Sequence, residues 1–555
     1  MKTAPWAFGL AVLFAPAAIA QTNNELVNGA TDTSNVVNYG MGYNLQRFST
    51  LTQINKGNIK HLVPVWNYSL DDNRAEESQP LVYKGVIYVT TGSATMAIDA
   101  TTGKQIWKSK LEVAPEVLRS ACCGLINRGA AIYDDKIFRT TLDANVIALD
   151  AKSGKEVWHA NAIDFKTGYS MTAAPLVAEG VVITGISGGE FGTRGFIDGW
   201  DAQTGQHLWR TFTVAGPGEP GNETWPGDTW KRGGGPAWLT GSFDPELHTV
   251  YWGIGNPGSW NAIDRKGDNL YTCSVLALDP KTGKIKWYYQ FSPNDPFDYD
   301  SAGEMVLATI DVSGTPTKVI LHADKNGFFY VLDRTNGKLI AANPFVKVNW
   351  ASGIDMKTGR PIYTDVSVKA RAGEKVTVWP STLGGKNWGP MSFDPQKGLA
   401  YANTLNFGGH YKAAPAEYKA GQFYFGADMS DLWEWPEGPR GYLKAIDPLT
   451  GTAKWENASE LPRYGGVLST AGGVVFSGQM TGEFEAFDSD TGKKLWQFQT
   501  GSSIEGQPIT WQQDGVQYVA VTSGGFGGYA LFTGDPRLAS VPAGGSLWVF
   551  ALAPQ

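Results

Sequence analysis

Seven copies of one phrase constrain this 555-residue chain more than any other feature. In each copy an apolar residue precedes an Asp, a Gly follows four positions later, and in six of them a Trp follows four positions after that. The copies centre on Asp99, Asp150, Asp201, Asp279, Asp333, Asp447 and Asp488; the one at Asp333 lacks its Trp. Each reads as a strand ending at Asp, a tight turn closed by Gly, and a return strand that starts on an aromatic. The Asp spacings are 51, 51, 78, 54, 114 and 41 residues, a period that marks a repeat fold. The 114-residue gap leaves room for one more unit, with a degenerate turn at 393–398, which suggests eight units. A second apolar strand precedes the copies, as at 80–89 and 470–478. The pattern therefore predicts an all-β chain, an eight-bladed β-propeller of four-stranded antiparallel blades. The 68 Gly and 30 Pro supply turns, and hardly any stretch carries the 3.6-residue apolar period of a long helix. Repeats running from about residue 80 to about residue 500 argue for a single propeller domain over 21–555 rather than several domains.

The first twenty residues stand apart. Lys2, an apolar run from Trp6 to Ile19 and the small-residue end Ala18-Ile19-Ala20 have the form of a secretory signal peptide cleaved before Gln21, which predicts export to the periplasm. An N-terminal anchor is the competing reading, but the run is too short to cross a bilayer. No other segment of the sequence has the length and apolarity of a span, so no stable membrane insertion is expected.

A net charge of −7 and a pI near 5.5 leave no basic stripe for nucleic acid or an anionic membrane. Six scattered His and three Cys offer no zinc-binding spacing, and without Cys-x-x-Cys-His the chain attaches no c-type haem. Two of the cysteines, Cys122 and Cys123, are adjacent, with Cys273 far away. In an exported protein their pairing with each other is the first reading. Such a bridge closes a strained eight-membered ring that would suit one face of a planar cofactor; two reduced thiols are the alternative.

With these cysteines the chain resembles the quinoprotein alcohol dehydrogenases, which use pyrroloquinoline quinone (PQQ). The likeness runs over essentially the whole mature chain, from Tyr39-Gly40, Arg47-Phe48-Ser49 and Gln53-Ile54-Asn55 to the turn at Asp488-Ser489-Asp490-Thr491-Gly492. It implies an eight-bladed propeller with PQQ and a metal in the axial funnel. It also implies a vicinal disulfide of Cys122 and Cys123 on one face of PQQ and Trp238 on the other. Glu77, Arg128, Thr172, Ser187, Gly188, Gly189, Lys325 and Asn387 would surround the ring, with Arg128 complementing the cofactor carboxylates.

For the metal, the resemblance implies Glu190, Asn256 and Asp298, an all-oxygen set suited to a hard cation. Asp300 stands where the lanthanide-using branch has an extra carboxylate ligand, so a lanthanide ion is expected, with Ca²⁺ as the alternative. The implied reaction is two-electron oxidation of a primary alcohol to an aldehyde. Asp298 would act as general base, Lys325 would stabilise charge on the quinone oxygen, and the metal would be a Lewis acid. Lacking a haem motif, the chain is expected to pass electrons to a separate soluble cytochrome c; a homodimer stays open as its assembly.

Two departures argue against methanol as substrate: Tyr464 stands where methanol-specific relatives have Trp, and the stretch between Glu190 and Asn256 is shorter. The loop 523–529 is expected to border the funnel with Phe526 and Tyr529. Two other readings stand beside this one. The first is a quinoprotein for a sugar, polyol or polyvinyl alcohol, since specificity lies in loops. The second is a non-catalytic propeller scaffold, which predicts neither paired cysteines nor a metal triad.

Overall fold

The computed structural model describes residues 21–554; the signal segment predicted over 1–20 lies outside the described residues. The chain is all-β, with short helices only at connections. Eight of its sheets have four strands or more. In chain order they span 81–110, 131–161, 176–212, 242–290, 306–344, 392–459 and 468–499, the last joined in parallel by Phe48–Ser49. The eighth unites the two ends of the described chain, pairing Leu62–Ser69 with Ser546–Leu552 beside Val516–Ser523 and Ile509–Gln513.

The repeated phrase is explained by the turn it builds. In the first sheet Asp99 Oδ1 accepts from the backbone N–H groups of Thr101 and Thr102 at 3.1 and 2.7 Å, and Gly103 N donates to the Asp99 carbonyl at 2.9 Å. Gly103 has φ +69°, a left-handed conformation that disfavours any side chain. The Trp serves the next sheet rather than its own turn. Trp107 Nε1 donates to the carbonyl of Ala151, one residue past Asp150, at 3.0 Å, and its ring lies over Gly154, where a Cβ would stand 2.5 Å away.

The same link recurs from sheet to sheet: Trp158 to Ala202, Trp209 to Pro280, Trp455 to Ser489, Trp496 to Leu62, and Trp66 of the eighth sheet to Ala100 of the first. Trp287 covers Gly337. Where the phrase lacks its Trp, Asn343 Nδ2 donates to Leu449 O at 2.8 Å instead. The third strands Ala94–Asp99 and Phe196–Asp201 are buried on both faces except at their Asp, whereas Gly441–Ile446 of the sixth sheet leaves Tyr442 and Lys444 partly exposed. The return strands alternate toward solvent and carry Lys108, Lys286 and Lys494, charges that protect an exposed edge.

The turn at 393–398 corrects one expectation. It joins Ser392–Asp394 to Leu399–Leu405, the first hairpin of the sixth sheet, and so belongs to the same unit as the copy at Asp447. The long gap holds an insertion instead: a two-stranded sheet of Ala351–Ile354 and Pro361–Tyr363, the helix Asp365–Arg371, and a three-stranded sheet of Val376–Val378, Gly408–Tyr411 and Trp433–Glu434.

Candidate active site

Segments in or beside seven of the eight sheets line one deep pocket. Glu77 precedes the first sheet, Cys122, Cys123 and Arg128 follow it, and Thr172 follows the second. Ser187, Gly188 and Glu190 lie within the third sheet's span and Trp238 after it. Asp298 and Asp300 follow the fourth, Lys325 lies in the fifth, Asn387 follows the fifth, Tyr464 the sixth, and Gly528 and Phe532 lie in the eighth. Of the cofactor- and metal-binding residues expected from sequence, Gly189 and Asn256 alone stand outside this lining. Gly189 begins the single 3-10 turn Gly189–Phe191 that presents Glu190, and a Cβ on it would come 3.3 Å from Asn256 Oδ1.

One end of the pocket is built around Arg128. Its Nη2 lies 2.7 Å from Glu77 Oε2, its Nη1 donates to Thr172 Oγ1 at 2.7 Å, and its guanidinium carbon is 5.0 Å from the ring centroids of both Trp238 and Trp388. Thr172 Oγ1 stands 3.3 Å from Ser187 Oγ. Burial pushes Glu77 above the usual carboxylate range, and the Arg128 charge opposes the shift. Arg128 Nε and Glu77 Oε1 have no hydrogen-bond partner though both are buried, so each has capacity left for a ligand. Behind Glu77, Glu505 takes the Gly527 N–H on both its oxygens at 3.1 and 3.0 Å, and burial plus the Glu77 charge push it up to about 8.

The other end is a knot of charge. Lys325 Nζ bridges Asp298 Oδ2 and Asp300 Oδ2 at 2.9 and 3.0 Å. Thr382 Oγ1 adds a bond to Asp298 Oδ2 at 3.3 Å. Asp300 Oδ1 accepts from Trp238 Nε1 at 3.1 Å and from the Asn256 backbone N–H at 3.0 Å. Burial disfavours charge on Lys325, but the two carboxylates outweigh it and its pKa is raised. Three carboxylates face that single ammonium, so negative charge is in excess. Asp298 is pushed well above the carboxylate range by burial, and Asp300 and Glu190 add to the shift against the pull of Lys325. Glu190 is pushed up to about 7 by burial and then by Asp300. Asp298 also has φ +63°, a strained setting for a non-glycine residue, as functional sites often show.

Two observations bear on the metal site and the disulfide expected from sequence. Among the described residues no group of three His, Cys, Asp or Glu side chains is gathered as a ready metal site. Glu190, Asn256, Asp298 and Asp300 share one corner, but Lys325 occupies the space between the two Asp carboxylates. The residues nonetheless fit a hard cation: every donor is oxygen, and Asn256 Oδ1 and Asp298 Oδ1 are buried without partners. Cys122 and Cys123 line the pocket as free thiols, and Cys273 is free and buried. The Cys122 thiol is pushed well up, first by its hydrogen bond to the Cys123 sulfur and then by burial. Left reduced, the pair avoids the strained backbone that an eight-membered ring demands.

Sequence reasoning missed the pocket's apolar wall. Trp260, Phe425, Met429, Leu432 and Trp433 come largely from the insertion, and Phe532 from the helix Gly528–Thr533. The aromatic density of 418–435, with Tyr418, Phe423, Tyr424, Phe425, Trp433 and Trp435, was the available signal. Phe526 and Tyr529, expected at the funnel, do not line the pocket. Tyr529 is fully buried, its hydroxyl bonded to Asp535 at 3.0 Å, and Phe526 packs beneath the pocket wall, so Gly528 and Phe532 are the members of this segment that face the pocket.

Comparison with known proteins decides the family. The family model described as "PQQ: Glucose/ethanol/alcohol dehydrogenase, beta-propeller domain" matches residues 37–348 and 429–519. The chain belongs to the quinoprotein alcohol dehydrogenases. It is 41% identical to the quinoprotein alcohol dehydrogenase PedH of Pseudomonas putida over 98% of this chain and 96% of that protein. It is 38% identical to the lanthanide-dependent methanol dehydrogenase of Methylacidiphilum fumariolicum, with the same two coverages. A solved europium-containing methanol dehydrogenase superposes with a TM-score of 0.90 at 37% identity, over 95% of this chain and all of that one. The protein is thus a PQQ-dependent enzyme of alcohol oxidation, and its all-β fold is that of the family's propeller domain.

Proposed function

We propose that this enzyme oxidises primary alcohols to aldehydes in the periplasm, with PQQ in the pocket and a lanthanide ion at Glu190, Asn256, Asp298 and Asp300. Electrons pass to a separate soluble cytochrome c. The observation that carries the reading is the pairing of Asp298 and Asp300 across Lys325 in a buried pocket that also holds Arg128, Trp238 and the two adjacent cysteines. We also propose that the eight sheets are the blades of a single closed propeller domain over 21–555, a reading supported by the links that run from each sheet to the next and from the eighth to the first, made by Trp except at the fifth sheet, where Asn343 makes it. Cys122 and Cys123 form a disulfide on oxidation in the exporting compartment; mass spectrometry of the protein before and after reduction would show the 2 Da change.

When bound, the quinone supplies a two-electron acceptor and the cation a Lewis acid. The chain's own residues do the rest. Arg128, flanked by Thr172 and Ser187, complements the cofactor's carboxylates, and the orphaned Arg128 Nε is a donor held ready for them. Asp298 Oδ1, free of partners while Oδ2 is held by Lys325 and Thr382, takes the hydroxyl proton of the alcohol. Lys325 donates to the oxygen on which negative charge develops. The wall of Trp260, Phe425, Met429, Leu432, Trp433 and Phe532 excludes water and favours an alcohol with an apolar body over a sugar or polyol. The likeness to a lanthanide-dependent methanol dehydrogenase and to a europium-containing one supports the choice of metal.

The test is reconstitution of the full chain with PQQ plus La³⁺ or plus Ca²⁺, followed by dye reduction with methanol, ethanol, butanol and an aromatic alcohol. Turnover with La³⁺ that rises from methanol to the larger alcohols is expected. Turnover with Ca²⁺ alone overturns the metal, and none with any alcohol and either ion overturns the site assignment.

A further inference from the structure

Asp300 is expected at the metal, yet only half of its carboxylate faces that corner. Oδ1 is committed to two N–H donors, Trp238 Nε1 at 3.1 Å and the Asn256 backbone at 3.0 Å, while Oδ2 alone is on Lys325. An indole has a single donor, so Asp300 holds the only hydrogen bond the Trp238 side chain can make. The local chain is shaped for this approach. A Cβ on Gly255 would lie 2.2 Å from Asp300 Oδ1 and 2.8 Å from Pro236, so glycine at that position lets the carboxylate pass beneath the loop that carries Trp238. Gly255 N in turn donates to Pro236 O at 2.7 Å, fixing that loop against Asn256. Arg128 lies 5.0 Å from the Trp238 ring centroid. With Arg128 over the ring and Asp300 at its edge, the tilt of the indole is set from two sides.

We propose that Asp300 is the positioning residue of Trp238, fixing the plane of the indole that forms one wall of the cofactor pocket through Oδ1, independently of any cation that Oδ2 takes up. This rests on the assignment of the pocket to PQQ. It separates two roles that a ligand assignment merges: replacing Asp300 damages the cofactor wall even where no lanthanide is used.

The experiment measures PQQ affinity of the full chain by equilibrium dialysis in Ca²⁺, for wild type, Asp300→Ala, Asp300→Asn, Trp238→Phe and the double variant Trp238→Phe/Asp300→Ala. Asn keeps an oxygen acceptor for both N–H groups while losing the charge. Asp300→Ala is expected to weaken PQQ binding about tenfold, the scale of a buried donor left unpaired, and Asp300→Asn by less than about threefold. Because Asp300 acts through the indole N–H, the alanine change should add nothing in the Trp238→Phe background. In the cofactor-free protein labelled with ¹⁵N-indole, the Trp238 Nε1–H, assigned by its loss in Trp238→Phe, should exchange slowly in wild type and Asp300→Asn and fast in Asp300→Ala. Wild-type affinity in Asp300→Ala, additive losses in the double variant, or unchanged indole exchange would each overturn the positioning role while leaving PQQ binding standing. A wild-type chain that binds no PQQ would instead remove the cofactor assignment on which the proposal rests.

Discussion

Gly205 and Gly398 close the same turn in two settings, and replacing each by Ala separates the demand of the backbone from the demand of the neighbouring sheet. Their φ values are +72° and +66°. Each N–H donates at 2.9 Å to the carbonyl of the Asp four residues earlier, and the side chain of that Asp accepts from the N–H groups of the second and third residues after it. A Cβ at Gly398 meets nothing within 4 Å, whereas at Gly205 it lies 2.6 Å from the Trp158 ring. The left-handed conformation costs a non-glycine residue about 1–2 kcal/mol, and narrowing the unfolded chain returns about 0.4–1 kcal/mol. Gly398→Ala should therefore destabilise by only about 0.5–1.5 kcal/mol. At Gly205 the ring must also retreat about 1 Å to reach ordinary contact near 3.5–4.0 Å. That movement strains the Trp158 bond to Ala202, 3.3 Å in the native fold, and overpacking of this kind adds about 1–3 kcal/mol. Gly205→Ala should thus lose about 2–4 kcal/mol in urea denaturation monitored by Trp fluorescence, with slopes matched to wild type. Equal losses at the two sites would refute the claim that the Trp of one sheet dictates the glycine of the next.

Three further outcomes follow from the site and the sheet contacts. Folding raises Glu505 from 4.5 to about 8, so the stability it contributes is complete below about pH 4.5 and is lost as pH rises to about 8. The wild-type curve minus that of Glu505→Gln should fall by ~2–5 kcal/mol across that window, and a flat difference would exclude the shift. Asp298→Asn should lower kcat by about 10²–10⁴ while PQQ affinity stays within a few-fold; a variant that keeps a tenth of wild-type turnover is incompatible with the base assigned here. Trp455→Phe keeps a ring over Gly492 but loses the 3.0 Å bond to Ser489 O, so it should cost about 1 kcal/mol plus the lost ring area. A change indistinguishable from zero would mean that the indole N–H does not matter there.

The sheets were legible in the sequence because each copy of the phrase completes its signal within nine residues: an Asp that caps, a Gly that turns left-handed, a Trp that reaches the next copy. Two features escaped that local code for opposite reasons. The eighth sheet carries no copy, since its strands at 62–69 and 546–552 meet only through long-range pairing. The turn at 393–398 imitates a copy, since an Asp-capped, Gly-closed turn serves a first hairpin as well as a last one.

The site divides in the same way. Positions such as Glu190, Asp298 and Lys325 could be named through the family resemblance, and the fold does bring them to one pocket. Their chemical state could not be named, because it depends on which charges face one another across connections from different sheets. Sequence places Lys325 25 residues beyond Asp300 and says nothing of its Nζ lying between two carboxylates. That contact governs how a cation would enter. An ion bound by Asp298 and Asp300 must displace or share the ammonium on their Oδ2 atoms, whereas Asp298 Oδ1 and Asn256 Oδ1 are already free of partners. The bonds that Lys325 gives up are the same for either ion, but an ammonium that stays nearby repels a trivalent ion more strongly than a divalent one. Lys325→Met should therefore raise the affinity for La³⁺ and Ca²⁺ alike, and more for La³⁺, read by calorimetric titration of the metal-free protein. A variant that leaves both affinities at the wild-type values would show that Lys325 does not stand in the cation's way.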